Sequence, residues 1–349
     1  MNIAKTTNLI LLLISVVFIL IIGKKLFIPI VLASLVWFLV KDIRKGIQRT
    51  PFIGKVLPRW LLNIAAAALL FCVLGFVFNL LSKNISGLLN NMDAYTARLN
   101  VINQYIHDEF GFNIRELWIA NTGEFDFTII LEDIANSLSS TLGNVFMIAL
   151  YLLFMLLEES VFGKKILYLA SSEEKKIELT QTLEQIDHSI SKYISLKTLV
   201  SLITGFSSYL VLKLIGLDAP IFWAFLIFLL NFIPTIGSLI GTLFPVAMAF
   251  LQFEDPTSAI IILIAVGSIQ VIVGNIIEPK IMGNSLNVSS LVVILSLSFW
   301  GAIWGITGMV LSVPITVILV ILFSQFKTTR SVAILLSDKG QINTINSAK

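Results

Sequence analysis

The side chains best suited to chemistry stand at one end of a long apolar stretch. Asn275, Glu278 and Lys280 close the apolar run 258–277 and precede another. A carboxylate and an ammonium at the edge of hydrocarbon are costly unless they are paired, solvated or used in function. Pro279 lies between them and supplies no backbone N–H, so we expect the helix to stop or break there. We interpret this segment as the candidate functional centre of an integral membrane protein.

A second polar interruption divides the apolar stretch 219–251, and further apolar sequence at 289–323 is punctuated by glycine and proline. Helix ends within a membrane expose partial charges and free carbonyls that can bind a cation or an anionic group. The candidate substrate- or ion-binding residues are Asn231, Thr235, Gln270, Asn275, Glu278 and Lys280. The predicted helix breaks are Pro234, Gly237, Gly241, Pro279, Gly283, Gly301, Gly305, Gly308 and Pro314.

Each assignment has a purely structural alternative. Glu278 can be an ordinary interfacial carboxylate that pairs with Lys280 or Lys213. Asn231 can simply satisfy backbone groups that Pro234 leaves free. Glycines in apolar helices mark close helix contacts more often than ligand sites.

The sequence contains no pattern typical of catalysis or of metal binding. It has no phosphate-binding Gly-x-x-x-x-Gly-Lys loop, no His-Glu-x-x-His and no serine elbow. Its histidines are His107 and His188, and its single cysteine, Cys72, lies within an apolar run. We therefore expect no enzyme activity, no catalytic residues, no cofactor and no metal site.

Composition places the chain in a membrane. Of 349 residues, 57% are hydrophobic and 13% are charged, with a net charge of +3, whereas soluble domains carry about 25% charged residues. The basic residues cluster in particular loops, which reports membrane topology and does not indicate nucleic-acid binding. The lipid bilayer is thus a predicted partner and nucleic acid is not.

The pattern of apolar runs predicts an all-α polytopic fold with about eight transmembrane segments. Two of these are broken or re-entrant helix pairs, at 219–251 and 289–323, which either span fully or re-enter. We divide the chain into N-terminal transmembrane helices (1–81), an extracytoplasmic amphipathic insert (82–142), a transmembrane helix (143–157), a cytoplasmic amphipathic helix (158–198), a C-terminal transmembrane transport core (199–326) and a cytoplasmic tail (327–349). Loops 41–59 and 163–197 are rich in basic residues and the insert is acidic, which predicts that both termini are cytoplasmic.

Several motifs carry a family resemblance. The segments Asn275-x-x-Glu-Pro-Lys-Ile-Met-Gly283, Asn287-Val-Ser-Ser-Leu291, Phe299-Trp-Gly-x-x-Trp-Gly-x-x-Gly308 and Val313-Pro-Ile315 resemble those of the AI-2E (autoinducer-2 exporter-like, PerM-type) transporter family. Phe232-Ile-Pro-Thr-Ile-Gly237 is similar to the family's Pro-Tyr-Ile-Gly-Pro stretch, with Thr235 for its tyrosine and Ser238 for its second proline.

The resemblance implies a secondary transporter of the bacterial inner membrane that exports a small polar solute such as autoinducer-2. An alternative is a Na+(Li+)/H+ antiporter in which Glu278 binds the monovalent cation and the proton in turn. A further alternative is a non-transporting membrane oligomer with a structural or regulatory role. A homo-oligomer is compatible with all three, and we expect one.

Overall fold

The computed structural model of the chain describes residues 3–49, 58–111, 127–168, 170–282 and 287–340, and every regular element in these ranges is a helix. This confirms the all-α fold, which long apolar runs adopt because a helix satisfies its own backbone polar groups. In chain order the helices are α1 (Ile3–Ile22), α2 (Lys24–Gln48), α3 (Arg59–Asn90), α4 (Met92–Phe110), α5 (Phe127–Tyr168), α6 (Glu173–Ile215), α7 (Pro220–Leu230), α8 (Ile236–Gln252), α9 (Thr257–Ile272), a π-helical turn (Val273–Ile277), α10 (Glu278–Met282), α11 (Ser290–Gln325) and α12 (Arg330–Leu336).

The helices confirm a polytopic membrane protein. Five are long and apolar enough to cross a membrane: Lys24–Gln48, Trp60–Asn90, Glu173–Ile215, Thr257–Met282 and Ser290–Gln325. A sixth is added if the pair Val145–Glu159 and Val161–Tyr168, bent by 65°, is one span. The total of about eight segments stays a prediction, because α7, with 11 residues, is shorter than a full span needs, and α8, with 17, is at the lower limit of that length.

Contacts divide the chain into two compact units. Unit 1 comprises Met1–Leu69, Asn144–Thr198 and Met282–Lys349, and unit 2 comprises Leu70–Gly143 and Leu199–Ile281. We predicted a cytoplasmic amphipathic helix at 158–198 and a separate transmembrane core from residue 199. The boundary between them instead lies inside one continuous helix, the 43-residue α6, because no glycine or proline occurs from residue 173 to residue 204.

Unit 2 is built around an antiparallel hairpin of α7 and α8, which we call the α7–α8 hairpin. The rings of Trp223 and Phe244 stack across it at 6.5 Å. Its buried residues join those of α3, α4, α6 and α9 in one apolar core that includes Leu88, Leu212 and Ile262. Helix α9 packs along α8. The arms of the hairpin are therefore covered by packed helices on more than one side.

Unit 1 contains a second hairpin within α11. Gly305 has non-helical dihedral angles (φ 62°, ψ −143°) and divides the helix into two arms. Hydrogen bonds join the arms, since the Ser296 hydroxyl donates to the Ser312 carbonyl over 3.3 Å and is also bonded to the Thr316 hydroxyl. The prediction that 289–323 consists of two segments is confirmed. Gly301, Gly308 and Pro314, which we predicted as breaks, lie inside the two arms.

Helices α1 and α2 meet directly at Gly23. Helical hydrogen bonds form on both sides of Gly23: Gly23 N donates to Ile19 O at 2.8 Å, and Phe27 N donates to Gly23 O at 2.9 Å. The Leu20 carbonyl, one turn before the kink, accepts the indole N–H of Trp304 at 3.0 Å. This side-chain bond satisfies a carbonyl at the point where the regular helical ladder is interrupted.

Ion pairs join α2 to α5 and α6 within unit 1. Arg44 forms a bidentate pair with Glu159, with both N–O distances 2.8 Å, and its side chain also donates to Asn63 Oδ1 at 2.5 Å. Lys41 Nζ lies 2.5 Å from Asp187 Oδ1. The cation of each pair is only 12% exposed, so removing its partner would leave a shielded charge unpaired, which is destabilising.

Candidate functional site

The break in the α7–α8 hairpin spans residues 231–235 and contains two of the predicted binding residues. Helix α7 ends at Leu230 with Asn231 as its C-cap, and α8 begins after Thr235. Ile236 N donates to Pro234 O at 2.6 Å, which closes a γ-turn centred on Thr235. Thr235 has φ 62° and ψ −56°. This turn is rare and strained, and a β-branched residue with positive φ is a genuine outlier.

Gly237 and Gly241 have different roles from the helix breaks that we predicted. Both lie inside α8. A Cβ atom at residue 237 would stand 1.8 Å from the carbonyl oxygen of Leu230. A Cβ atom at residue 241 would stand 3.5 Å from Ile227 and 3.4 Å from the amide nitrogen of Gln270. Their missing side chains therefore allow close packing, whereas the break itself consists of the residues around Pro234.

Asn231 is buried and hydrogen-bonded to α6, a contact that the sequence did not predict. Its Nδ2 donates to Ser201 Oγ on α6 at 3.0 Å, and 8% of the residue is exposed. Gly205, one turn further along α6, allows this approach, since a Cβ there would stand 3.0 Å from the Ala224 carbonyl. Ser201 was missed because a serine in an apolar run has no distinguishing local signal.

Gln270 is the buried polar group with unused hydrogen-bonding capacity on the other side of the hairpin. It lies on α9 with 7% of its surface exposed, and its Nε2 has no hydrogen-bond partner in the part of the chain that the structure describes. The amide faces α8 at Gly241. A buried donor without a partner costs about 1–3 kcal/mol, so a group retained in this state is a candidate ligand contact.

The Asn275–Lys280 segment differs from its prediction in one respect. The chain does not end its helix at Pro279: it passes through the π-helical turn Val273–Ile277 into α10. Glu278 N donates to Val273 O, five residues back. The wider turn accommodates the missing N–H of Pro279 without stopping the helix, and π-turns are frequent at functional sites.

The predicted site residues separate into a buried and an exposed group. Asn231 and Gln270 are buried, and Glu278 is half-buried. Thr235, Asn275 and Lys280 are exposed. The predicted break at Gly283 lies outside the described residues.

The buried polar groups of unit 2 share one chemical property. In the residues described for this unit, the buried polar side chains are all uncharged: Ser201, Thr204, Ser208, Asn231, Thr242 and Gln270. Two of them, Ser208 Oγ and Gln270 Nε2, lack hydrogen-bond partners among the described residues. These two groups, Ser208 Oγ and Gln270 Nε2, can therefore hydrogen-bond to a neutral polar molecule or to water.

Short broken helices that carry buried polar groups inside a helical membrane chain are typical of secondary transporters. Comparison with known proteins defines the family: the chain belongs to the AI-2E transporter family, whose model, described as "AI-2E family transporter", matches residues 9–328. The resemblance seen in the sequence motifs is thereby confirmed.

Individual relatives support this membership over nearly the full length. The chain is 31% identical to the "AI-2 transport protein TqsA" of Escherichia coli K12 over 313 residues, covering 90% of this chain and 87% of the relative. It is 33% identical to a "Putative transport protein" of Haemophilus influenzae, covering 93% and 95%. It is also 33% identical to the "Putative transport protein YhhT" of E. coli K12, covering 89% and 85%. The chain is therefore a member of a family of membrane transporters.

Proposed function

We propose that this protein is a secondary transporter that exports a small, uncharged, polyhydroxylated solute such as autoinducer-2. The observation that carries the proposal is the buried Gln270 amide beside the α7–α8 hairpin, whose Nε2 has no partner in the described chain. A solute hydroxyl would accept this N–H and remove the cost of leaving it unpaired. The relative TqsA, which bears the name of an AI-2 transport protein, supports the choice of solute.

Movement of the α7–α8 hairpin would expose the buried polar groups of unit 2 to the solute. An 11-residue α7 rises about 16 Å, which is about half the hydrocarbon thickness of a bilayer. We therefore propose that α7 enters the membrane without crossing it and that α8 returns the chain to the same side. The break of the hairpin, with Asn231, would then lie at membrane depth, where irregular backbone is tolerated beside a wet cavity.

The antiporter alternative has less support. Proton-coupled exchange needs a carboxylate that alternates between proton and cation, and such groups are buried within the span. Glu278 is half-buried at the start of the short α10, and the buried polar side chains of unit 2 within the described ranges are uncharged. We propose a neutral solute for this reason.

We propose the bacterial inner membrane as the location, with both termini in the cytoplasm. The basic loops 41–59 and 163–197 support this orientation through the positive-inside rule, as does the acidic insert 82–142.

Autoinducer-2 flux into proteoliposomes tests the proposal through the Gln270→Leu variant. Leucine keeps a similar volume and removes the amide, so we expect flux to fall at least about ten-fold. Thermal stability should be equal or higher, because the unpaired donor is gone. A loss of flux together with a loss of stability would instead assign Gln270 a structural role.

The matched control is Thr204→Val. Thr204 is equally buried, but its hydroxyl is already bonded to the Val200 carbonyl of its own helix at 2.9 Å. We expect its flux to remain within about two-fold of wild type. Glu278→Gln distinguishes the proposed transporter from the antiporter. In this variant the flux of the neutral solute should persist. Na+-dependent proton movement that is present in the wild type and lost in the variant would contradict the proposal.

A further inference from the structure

The loop between α6 and α7 is held in an unusual conformation by side chains from other elements. Gly216 and Ala219 both have positive φ, 83° and 52° respectively. For alanine this conformation is unfavourable and persists only when the surroundings determine it. Asp218 lies between them and forms the hydrogen bonds that hold the loop.

Asp218 is hydrogen-bonded through its carboxylate and both of its backbone polar groups. Its Oδ2 accepts the Tyr95 hydroxyl at 2.5 Å and the Asn91 amide at 3.3 Å. Its backbone N donates to Gln252 Oε1 at 2.6 Å, and its carbonyl accepts the Trp223 indole N–H at 3.0 Å. Four side chains thus converge on one loop residue, which we call the Asp218 network.

The network joins both ends of the α7–α8 hairpin. Trp223 lies in the first turn of α7, and Gln252 is the last residue of α8. Gln252 Nε2 also donates to the Gly216 carbonyl at 2.8 Å. The start and the end of the hairpin, which together form its base, are therefore tied to the same loop.

Helix α4 holds the base from outside the hairpin. Tyr95 is 3% exposed and belongs to the core of unit 2 together with Met92. Burial and the bond to Asp218 raise the pKa of the Tyr95 hydroxyl well above its usual value, so it remains a donor at neutral pH. Arg98, one turn further along α4, donates to the Glu254 carbonyl just beyond α8 at 2.5 Å. Helix α4, which lies within the predicted insert 82–142, thus contacts the hairpin at its base.

We propose that Tyr95 and Asp218 are positioning residues for transport: they fix the base of the α7–α8 hairpin and confine its movement to the break at 231–235. The inference rests on the proposed function in one respect, that the solute site lies beside the hairpin. The break suits a moving part, because the strained γ-turn at Thr235 loses strain if the chain there rearranges. A fixed base and a strained tip together form a hinged gate.

The network has a consequence for solute affinity. If the base is loosened, the hairpin spends less time in the arrangement that places α8 beside Gln270 of α9. Apparent affinity then falls in proportion to the population of that arrangement. A side chain that served only folding would lower the amount of active protein, and hence the maximal rate, with no change in KM.

The test compares Tyr95→Phe with Tyr105→Phe in full-length protein in nanodiscs and proteoliposomes. Both substitutions remove one hydroxyl from α4, but Tyr105 is 63% exposed. For Tyr95→Phe we expect faster hydrogen exchange at the amides of 217–223 and a KM for autoinducer-2 raised about five-fold. Tyr105→Phe should match wild type in both. Asp218→Asn, which keeps an acceptor oxygen for Tyr95, should fall between Tyr95→Phe and wild type.

The two readouts keep this inference distinct from the proposed function. If Tyr95→Phe exchanges faster at 217–223 but the wild-type protein shows no autoinducer-2 flux, the proposed solute is wrong, while the role of Tyr95 in fixing the base of the hairpin is supported. Wild-type flux with unchanged exchange and unchanged KM in Tyr95→Phe would overturn the positioning role. A lowered maximal rate alone would overturn it as well.

Discussion

Gly237 lies so close to Leu230 that a Cβ atom on the glycine would stand 1.8 Å from the leucine carbonyl oxygen. Gly308 has the same relationship to Trp300 in α11, where the corresponding distance is 1.9 Å. In each case a glycine in the returning arm meets the last turn of the first arm. Both hairpins therefore use a missing side chain to bring their arms together directly beside the turn.

Gly237→Ala tests this contact. No side chain can move aside, since the obstructing atom is a backbone carbonyl, so the hairpin must open. We expect a loss of about 2 kcal/mol or more in the free energy of unfolding, measured by chemical or thermal unfolding in detergent. The control is Gly267→Ala in α9, where an added Cβ meets nothing within 4 Å. That change should be neutral or slightly stabilising.

Thr235→Gly tests the strain at the hairpin break. Glycine adopts φ 62° without the steric cost that threonine bears there. Relief of about 1–3 kcal/mol of strain exceeds the added backbone entropy of glycine, about 0.5–1 kcal/mol, so unfolding should become harder. Thr235→Ala retains a Cβ and should show no such gain. Equal stabilities of the glycine and alanine variants would argue against a strained turn.

Trp304→Phe tests the bond that satisfies the kink between α1 and α2. Phenylalanine retains an aromatic ring in the core but leaves the Leu20 carbonyl without its indole donor. We expect a loss of about 1–3 kcal/mol in unfolding free energy from the unsatisfied carbonyl. Trp300→Phe, in the same cluster, is the comparison for lost ring volume. A loss no larger than for Trp300→Phe would mean that the indole bond contributes nothing.

Asp255 gives a pH-dependent prediction at the start of α9. Its carboxylate accepts the backbone N–H and the hydroxyl of Thr257, and these bonds lower its pKa below the ordinary 3.8. A lowered folded-state pKa means stabilisation that is present above the unfolded value and lost as pH falls through the folded value. Hydrogen exchange at the first turn of α9 should therefore accelerate, relative to the intrinsic rate, below about pH 4. In Asp255→Ala this extra acceleration should be absent, and its persistence would contradict the assignment.

Features that depend on the local sequence were predicted well. The apolar runs predicted membrane-length helices, and the cluster of Gly and Pro after residue 300 predicted two segments within 289–323. Both predictions follow from chemistry that acts within a few residues. The π-turn before Pro279 was not foreseen, because proline normally ends a helix and nothing local shows that the turn will widen.

Contacts between distant residues could not be predicted in the same way. The Ser201 bond to Asn231 and the Tyr95 bond to Asp218 join residues 30 and 123 positions apart. Serine and tyrosine in apolar or amphipathic runs are ordinary, and their partners are set by how helices pack. Gln270 was named as a candidate from its residue type, whereas the missing partner of its amide is visible only in the folded chain.

The central claim, that the chain carries a neutral polar solute, is tested most directly by counterflow. Proteoliposomes loaded with unlabelled autoinducer-2 are diluted into labelled autoinducer-2 with equal pH and equal Na+ on both sides. We predict transient accumulation of label that is abolished in Gln270→Leu and retained in Thr204→Val. If the wild-type protein accumulates no label and instead moves protons in response to an imposed Na+ gradient, the protein does not carry a neutral polar solute.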